Sequence, residues 1–294
     1  MKGTQAILPM QSAKVIDLNA DPCRILVGDS LKILEEFPDK VFQCCITSPP
    51  YWGLRDYGIE GQVGAEMDVN DYIGHLVKVF QEVRRTLRND GTLWLNIGDS
   101  YTSGGRTWRQ KDSKNKGREM DYRPPTPKGL KPKDLIGVPW KLAFALQEDG
   151  WYLRSDIIWY KPNCQPESVK DRPTRAHEYL FLFSKTEKGY VYNYEAILES
   201  TKEGNGKKNR RTVWAINTNG FKGDHFAVFP PSLVEPCMLA GSNEGSMVLD
   251  PFFGTGTVGE VAIRKKRNCV GIELKPEYAE IAIKRLKSVT PELF

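Results

Sequence analysis

Short apolar runs alternate along the chain with amphipathic stretches, the pattern of strands buried on both faces interleaved with helices. Arg24–Gly28 reads as a strand, and Asp29-Ser30 opens an amphipathic helix through Phe37. Val41–Ile46 is a second buried strand, stopped by a double proline. Asp71–Leu87 predicts a helix carrying Tyr72, Leu76, Val79, Phe80, Val83 and Leu87 on one side; it ends near Asn89-Asp90-Gly91, with strand Thr92–Ile97 behind it. Helix Pro139–Glu148 and strands Trp151–Tyr160 and Leu180–Phe183 follow, and Tyr190–Tyr194 reads as a strand edge or hairpin. Helix Ser232–Ala240, strand Met247–Asp250, a glycine-rich turn and helix, strand Cys269–Ile272 and helix Pro276–Lys287 complete the series. These elements predict one α/β domain spanning residues 1–294.

Composition narrows the class. A hydrophobic share of 40% over 294 residues suits one large globule, and no segment approaches twenty uninterrupted apolar residues. The expectation is therefore no membrane association and, with a polar start (Met1-Lys2-Gly3-Thr4-Gln5), a cytoplasmic protein. The six cysteines include no Cys-x-x-Cys pair and none has a histidine at ligand spacing, so no metal site is expected.

The net charge of +5 is unevenly spread. Tyr101–Asp134 carries ten Lys/Arg against four acids, and Thr201–Arg211 carries five against Glu203, which leaves the rest of the chain at −5. A mildly acidic body with two basic segments points to a polyanion, and double-stranded DNA is the one that the resemblance of the Ser48–Tyr51 motif, given below, implies. The candidate contacts are Arg106, Arg109, Lys111, Lys114 and Lys116 in the first segment, and Lys207, Lys208, Arg210 and Arg211 in the second. Residues 101–134 form a basic insertion, expected to be mobile, and residues 195–224 a candidate target-recognition element.

Candidate chemistry gathers at Thr47-Ser48-Pro49-Pro50-Tyr51. Two consecutive prolines fix φ and supply no N–H, so the carbonyls of Ser48 and Pro49 become rigid acceptors. An exocyclic amine on a nucleobase delocalises its lone pair into the ring, and acceptors on its N–H groups localise that pair again. The Ser48 hydroxyl and the carbonyl after it suit that task, while Tyr51 offers a face for a base taken out of the duplex. His177 and Glu178 invite an acid/base reading, but an amine that loses its proton after attack requires no strong base, so structural or DNA-facing roles are favoured for them.

Ser-Pro-Pro-Tyr resembles the catalytic motif of DNA amino-methyltransferases, which methylate cytosine N4 or adenine N6. The resemblance implies Ser48, Pro49, Pro50 and Tyr51 as catalytic residues, and serine at the first position leans toward cytosine N4. A second motif, Asp250-Pro251-Phe252-Phe253-Gly254-Thr255-Gly256-Thr257, resembles the family's turn for S-adenosylmethionine. Its glycines let the backbone approach the methionine moiety, and an acid after the next strand, Glu273, is implied on the ribose. The resemblance further implies Asp29 on the adenine amine, Phe229 or Phe226 against the cofactor, and Thr47, Asp250, Pro251, Phe252, Gly254, Gly256 and Thr257 around it. Catalytic motif first and glycine turn last is the beta-group order: a Rossmann-like methyltransferase sheet, circularly permuted, with basic insertions.

Alternatives stay open on sequence alone. Gly254, Gly256 and Gly259 also satisfy a dinucleotide-binding G-x-G-x-x-G, although only 21 residues follow Glu273, too few for the rest of that fold. The others are adenine N6 as target, a DNA-binding module without catalysis, a companion restriction endonuclease, and monomer versus homodimer.

Overall fold

The computed structural model describes residues 14–17, 22–53, 62–103, 124–201, 206–218 and 229–291. Arg106, Arg109, Lys111, Lys114, Lys116 and Phe226 lie outside the described residues.

Nine strands form one sheet: β1 (Lys14–Asp17), β2 (Cys23–Val27), β3 (Phe42–Thr47), β4 (Leu87–Ile97), β5 (Tyr152–Tyr160), β6 (His177–Ser184), β9 (Val213–Ala215), β10 (Met247–Asp250) and β11 (Asn268–Glu273). Their spatial order is β1-β2-β11-β10-β3-β4-β6-β5-β9. From β2 to β4 the pairings are parallel, and β6 runs antiparallel to both β4 and β5. A separate hairpin joins β7 (Glu199–Ser200) to β8 (Lys207–Lys208).

Side chains of β3 and β4 alternate between two buried layers, which is why these strands read as continuous apolar runs. Phe42, Cys45, Leu93, Leu95 and Ile97 face α1 (Ser30–Glu35), α2 (Val69–Thr86) and α3 (Val138–Glu148). Cys44, Ile46 and Trp94 face α4 (Pro231–Gly241), α5 (Thr257–Arg264) and α6 (Pro276–Leu286). Helices on both faces of a mostly parallel sheet make the protein an α/β fold.

The ends of the chain meet inside this sheet. β2 pairs in parallel with β11, and β10 with β3, so the late glycine half and the early proline half are neighbours. Between β10 and β3 the chain departs in opposite directions, toward β11 on one side and β4 on the other. Open α/β sheets bind ligands in the crevice beyond the strand ends at such a switch point.

The structure departs from the sequence pattern in three places. β4 begins at Leu87, five residues before the expected Thr92, because Asn89-Asp90-Gly91 bulges within the strand rather than ending the helix: the register jumps between Phe42↔Leu87 and Cys44↔Thr92. The Gln43 amide fills the bulge, donating to the Asp90 carbonyl at 3.3 Å. β6 starts at His177 rather than Leu180, which places Glu178 on a strand. Tyr190–Tyr194 forms no strand; Tyr192 stacks on Trp94 at 6.4 Å, Asn193 N–H donates to the Ala240 carbonyl, and a 3-10 turn spans Tyr194–Ile197. Aromatic content there serves packing, not pairing. Among the described residues no helix is long and apolar enough to cross a membrane.

Candidate active site

The C-terminal ends of β2, β11, β10 and β3 surround one crevice. Thr47 closes β3 and Asp250 closes β10, and the buried Thr47 hydroxyl donates to Asp250 Oδ1 at 2.7 Å. Phe252 N–H donates to the same oxygen at 3.1 Å. Burial nonetheless pushes the Asp250 carboxyl up to about 7; Thr47 and Phe252 pull it back in part, and the Glu273 carboxylate adds to the rise. At the end of β11, Glu273 accepts from Gly254 N–H at 2.8 Å through one oxygen and from Lys275 N–H at 2.9 Å through the other. Burial raises this carboxyl too, against those backbone donors. Two carboxyls whose burial resists ionisation suit a cationic ligand, whose charge would offset their desolvation.

Glycine geometry leaves room for such a ligand. Gly254 has φ +53° and a Cβ built there meets nothing within 4 Å, so its backbone borders open space. Gly256, at φ +83°, caps α5, where an added Cβ would lie 3.0 Å from Ala282 Cβ. Phe253 lies against the backbone of Gly271, where an added Cβ would be 2.2 Å from the ring. The Ser30 hydroxyl donates to the Pro251 carbonyl at 2.5 Å and ties the first helix to this turn. Asp29 caps α1 by accepting from Lys32 N–H at 3.0 Å, and stands at the β2 end of the crevice. Phe229 is partly buried against the α4–α6 layer. Phe252 is partly buried against the opposite layer, and Pro251 and Thr257 are buried.

On the other side of the switch point the prolyl turn is firmly held. Pro49 is buried, and the Tyr72 hydroxyl donates to the Pro50 carbonyl at 2.8 Å, locking the turn onto α2. Ser48 is half-buried. The Tyr51 hydroxyl donates to Glu178 Oε2 at 2.7 Å. Burial, then the Glu178 carboxylate, hold this phenol well above its usual range, so it stays a proton donor. The structure thus gathers Thr47–Tyr51, Asp250–Thr257 and Glu273 at neighbouring strand ends. It adds Ser30, Asn96, Lys161, Glu178 and Gly271, whose partners lie too far along the chain for spacing to reveal.

Of the basic segments, the structure shows the attachment of the first and part of the second. Tyr101 bridges Leu135, Thr102 N–H donates to the Asp134 carbonyl and Ile136 N–H to the Ser100 carbonyl, so the two ends of the insertion join just beyond β4. Asp99 Oδ1 accepts from Ser100, Gly137 and Val138 N–H groups at this neck. In the second segment Arg211 Nε lies 2.5 Å from Glu199 Oε1 and Lys208 Nζ 3.5 Å away, while the Arg210 guanidinium sits 4.4 Å from the Trp214 ring centroid. Glu199 offsets part of that charge. Lys207 is exposed on β8.

A DNA methylase family model, covering enzymes of the N6 and N4 type, matches residues 42–284. The chain belongs to this family. It is 63% identical over 277 residues to the type II methyltransferase M.SmaI of Serratia marcescens, covering 94% of each chain. It is 56% identical to M.Cfr9I of Citrobacter freundii, covering 95% of this chain and 91% of the relative. Among solved structures, the cytosine-N4-specific PvuII DNA methyltransferase superposes with a TM-score of 0.68 at 21% identity, covering 94% of this chain and 89% of that one, a likeness of fold. A modification methylase of Thermus thermophilus complexed with S-adenosylmethionine gives 0.60 at 25% identity, covering 91% of this chain and 98% of that one. The protein is accordingly an S-adenosylmethionine-dependent DNA amino-methyltransferase, and the dehydrogenase reading of its glycine turn is set aside.

Proposed function

We propose that this methyltransferase modifies the exocyclic N4 amine of cytosine within a short duplex DNA sequence, as the modification half of a type II restriction-modification system. The observation that carries the reading is the Thr47–Asp250 hydrogen bond, 2.7 Å across the switch point, because it fixes the Ser48-Pro49-Pro50-Tyr51 turn beside the Asp250–Gly256 turn. S-adenosylmethionine supplies an electrophilic methyl on a sulfonium. Glu273 and Asp29 suit its ribose and adenine, while Gly254 and Gly256 let its methionine end approach the backbone, and Asp250, held by Thr47 and Phe252, shapes the floor between them.

The Ser48 oxygen and the Pro49 carbonyl accept hydrogen bonds from the target amine, draw its lone pair out of the ring and aim it at the methyl carbon. Tyr51 supports the base, which leaves the duplex because its amine is engaged in pairing there. No strong base is needed, since the amine sheds its proton only after it has attacked. Residues 101–134, held at their neck beside β4, and the 195–224 segment are the proposed DNA contacts. Serine at position 48 and the fold shared with a cytosine-N4-specific enzyme favour cytosine over adenine. Nucleoside mass spectrometry of DNA incubated with the protein and S-adenosylmethionine tests this: N4-methylcytosine is expected, and N6-methyladenine as the only product refutes the choice of base.

A further inference from the structure

The glycine turn is gripped from behind by a residue that belongs to neither motif. Arg285, in the last turn of α6 and 30 residues beyond Thr255, spreads its guanidinium over the turn. One terminal nitrogen, Nη1, reaches the Thr257 hydroxyl oxygen at 3.1 Å, the Thr255 carbonyl at 3.3 Å and the Thr255 hydroxyl oxygen at 3.4 Å. The other two nitrogens, Nε at 2.6 Å and Nη2 at 2.5 Å, both meet Glu260 Oε2. Glu260 stands in the first turn of α5, and its other oxygen takes the Arg264 guanidinium at 2.5 Å. Thr255, Thr257 and Glu260 are all buried.

A guanidinium carries its donors in a rigid planar fork, so it fixes the groups along its edges relative to one another. Here Glu260 braces one edge, and Thr255 and Thr257 sit on the other. The grip continues through the backbone. Gly254, next to Thr255, gives its N–H to Glu273 Oε2 at 2.8 Å, and Gly256, on the other side, gives its own to the Phe253 carbonyl at 2.9 Å. α6 also packs directly on the turn, since a Cβ on Gly256 would stand 3.0 Å from Ala282 Cβ. Thr255 is thus held by α6 while its neighbour Gly254 borders open space.

We propose that Arg285 is a positioning residue for the cofactor: braced on Glu260, it holds Thr255–Thr257 so that Gly254 and Glu273 stand in place before S-adenosylmethionine arrives. This rests on the placement of the cofactor along Gly254 and Glu273 proposed above. A turn already set in its binding geometry does not have to be ordered by the ligand. Loss of the clamp therefore shows as weaker cofactor binding rather than as slower chemistry once cofactor is bound.

Calorimetric titration with S-adenosylmethionine, fluorescence anisotropy with DNA, steady-state kinetics and thermal melts of the full chain test this. Arg285→Lys keeps a charge beside Glu260 but has no fork to span Glu260 and the threonines. It should raise the S-adenosylmethionine dissociation constant about tenfold, with DNA affinity within about twofold of wild type and KM for cofactor rising more than kcat falls. Thr257→Val keeps the shape and removes the hydroxyl acceptor; it should weaken cofactor binding about threefold alone and add nothing in the Arg285→Lys background. Wild-type cofactor affinity in Arg285→Lys, equal losses for cofactor and DNA, or a Thr257→Val loss that persists in full in the double variant overturns the proposal. Should Arg285→Lys melt below the assay temperature, Thr257→Val decides alone, and unchanged cofactor affinity there overturns it. Glu273→Gln separates the clamp from the reading beneath it. Undiminished cofactor binding in that variant refutes the placement itself, whereas a loss there beside an unimpaired Arg285→Lys refutes only the clamp.

Discussion

Thr47→Val tests the join between the two halves of the site. The side chain is 1% exposed, and valine matches threonine in shape, so the substitution removes a donor without opening a cavity. What it removes is the 2.7 Å bond to Asp250 Oδ1, leaving Phe252 N–H as the other donor described on that oxygen. A hydrogen bond to an ionised acceptor contributes about 1.5–3 kcal/mol, and one between neutral groups about 1 kcal/mol. Asp250 ionises near 7, so the loss must depend on pH. Below about pH 6 the acid is neutral and the variant should bind S-adenosylmethionine only about fivefold more weakly. Above about pH 8 the carboxylate lacks its donor, and the deficit should grow to between about tenfold and a hundredfold, at about 1.4 kcal/mol per decade. Calorimetric titration of cofactor into wild type and variant from pH 6 to pH 9 provides the comparison. A deficit constant across that range, or none at all, means that the bond does not govern the carboxylate beside the cofactor.

Three further outcomes are expected. Because burial lifts Asp250 from 3.8 to about 7, the folded protein holds that proton more tightly than the unfolded chain, and stability is lost as pH rises between those values, by at most about 4 kcal/mol. Asp250→Asn should therefore melt higher than wild type at pH 8 but not at pH 4, while binding cofactor more weakly; a lower Tm at pH 8 contradicts the sign. Gly271→Ala places a methyl 2.2 Å from the Phe253 ring, so that the ring and the Asp250–Gly256 turn must move; a loss of about 1–3 kcal/mol in chemical denaturation and weaker cofactor binding are expected, and wild-type values for both refute the contact. Replacing Arg106, Arg109, Lys111, Lys114 and Lys116 with glutamine should weaken DNA binding and flatten its dependence on salt by up to about 0.9 for each phosphate no longer neutralised, as read by fluorescence anisotropy; an unchanged slope excludes this segment as the phosphate-binding arm.

Where burial alone sets the pattern, the sequence is readable. β3 and β10 are covered on both faces and so are apolar nearly throughout, and the prolines and glycines that end them do so for steric reasons that hold locally. The neighbouring placement of β10 and β3 follows from the same elements because the two motifs need one crevice, and β2 pairs beside β11 as that order requires. Local reading fails where a distant group satisfies the backbone. Asn89-Asp90-Gly91 has the composition of a helix stop, yet Gln43 from the neighbouring strand turns it into a bulge. Tyr190–Tyr194 has strand composition, but Tyr192 packs on Trp94 and the Asn193 N–H turns toward α4. Glu178 reads along the chain as a charged residue before a strand with no evident task in the chemistry, since its partners stand at positions 51, 96 and 161 and only the folded sheet brings them together.

The early prolyl turn and the late glycine turn are held to form one pocket for a sulfonium donor and a displaced base, and a crystal structure of the protein with S-adenosylmethionine tests this most directly. The ribose is expected on Glu273, the methionine end along Gly254, and the methyl carbon facing Ser48. Cofactor bound away from the β3 and β10 ends, or with its methyl turned from Ser48, would contradict it.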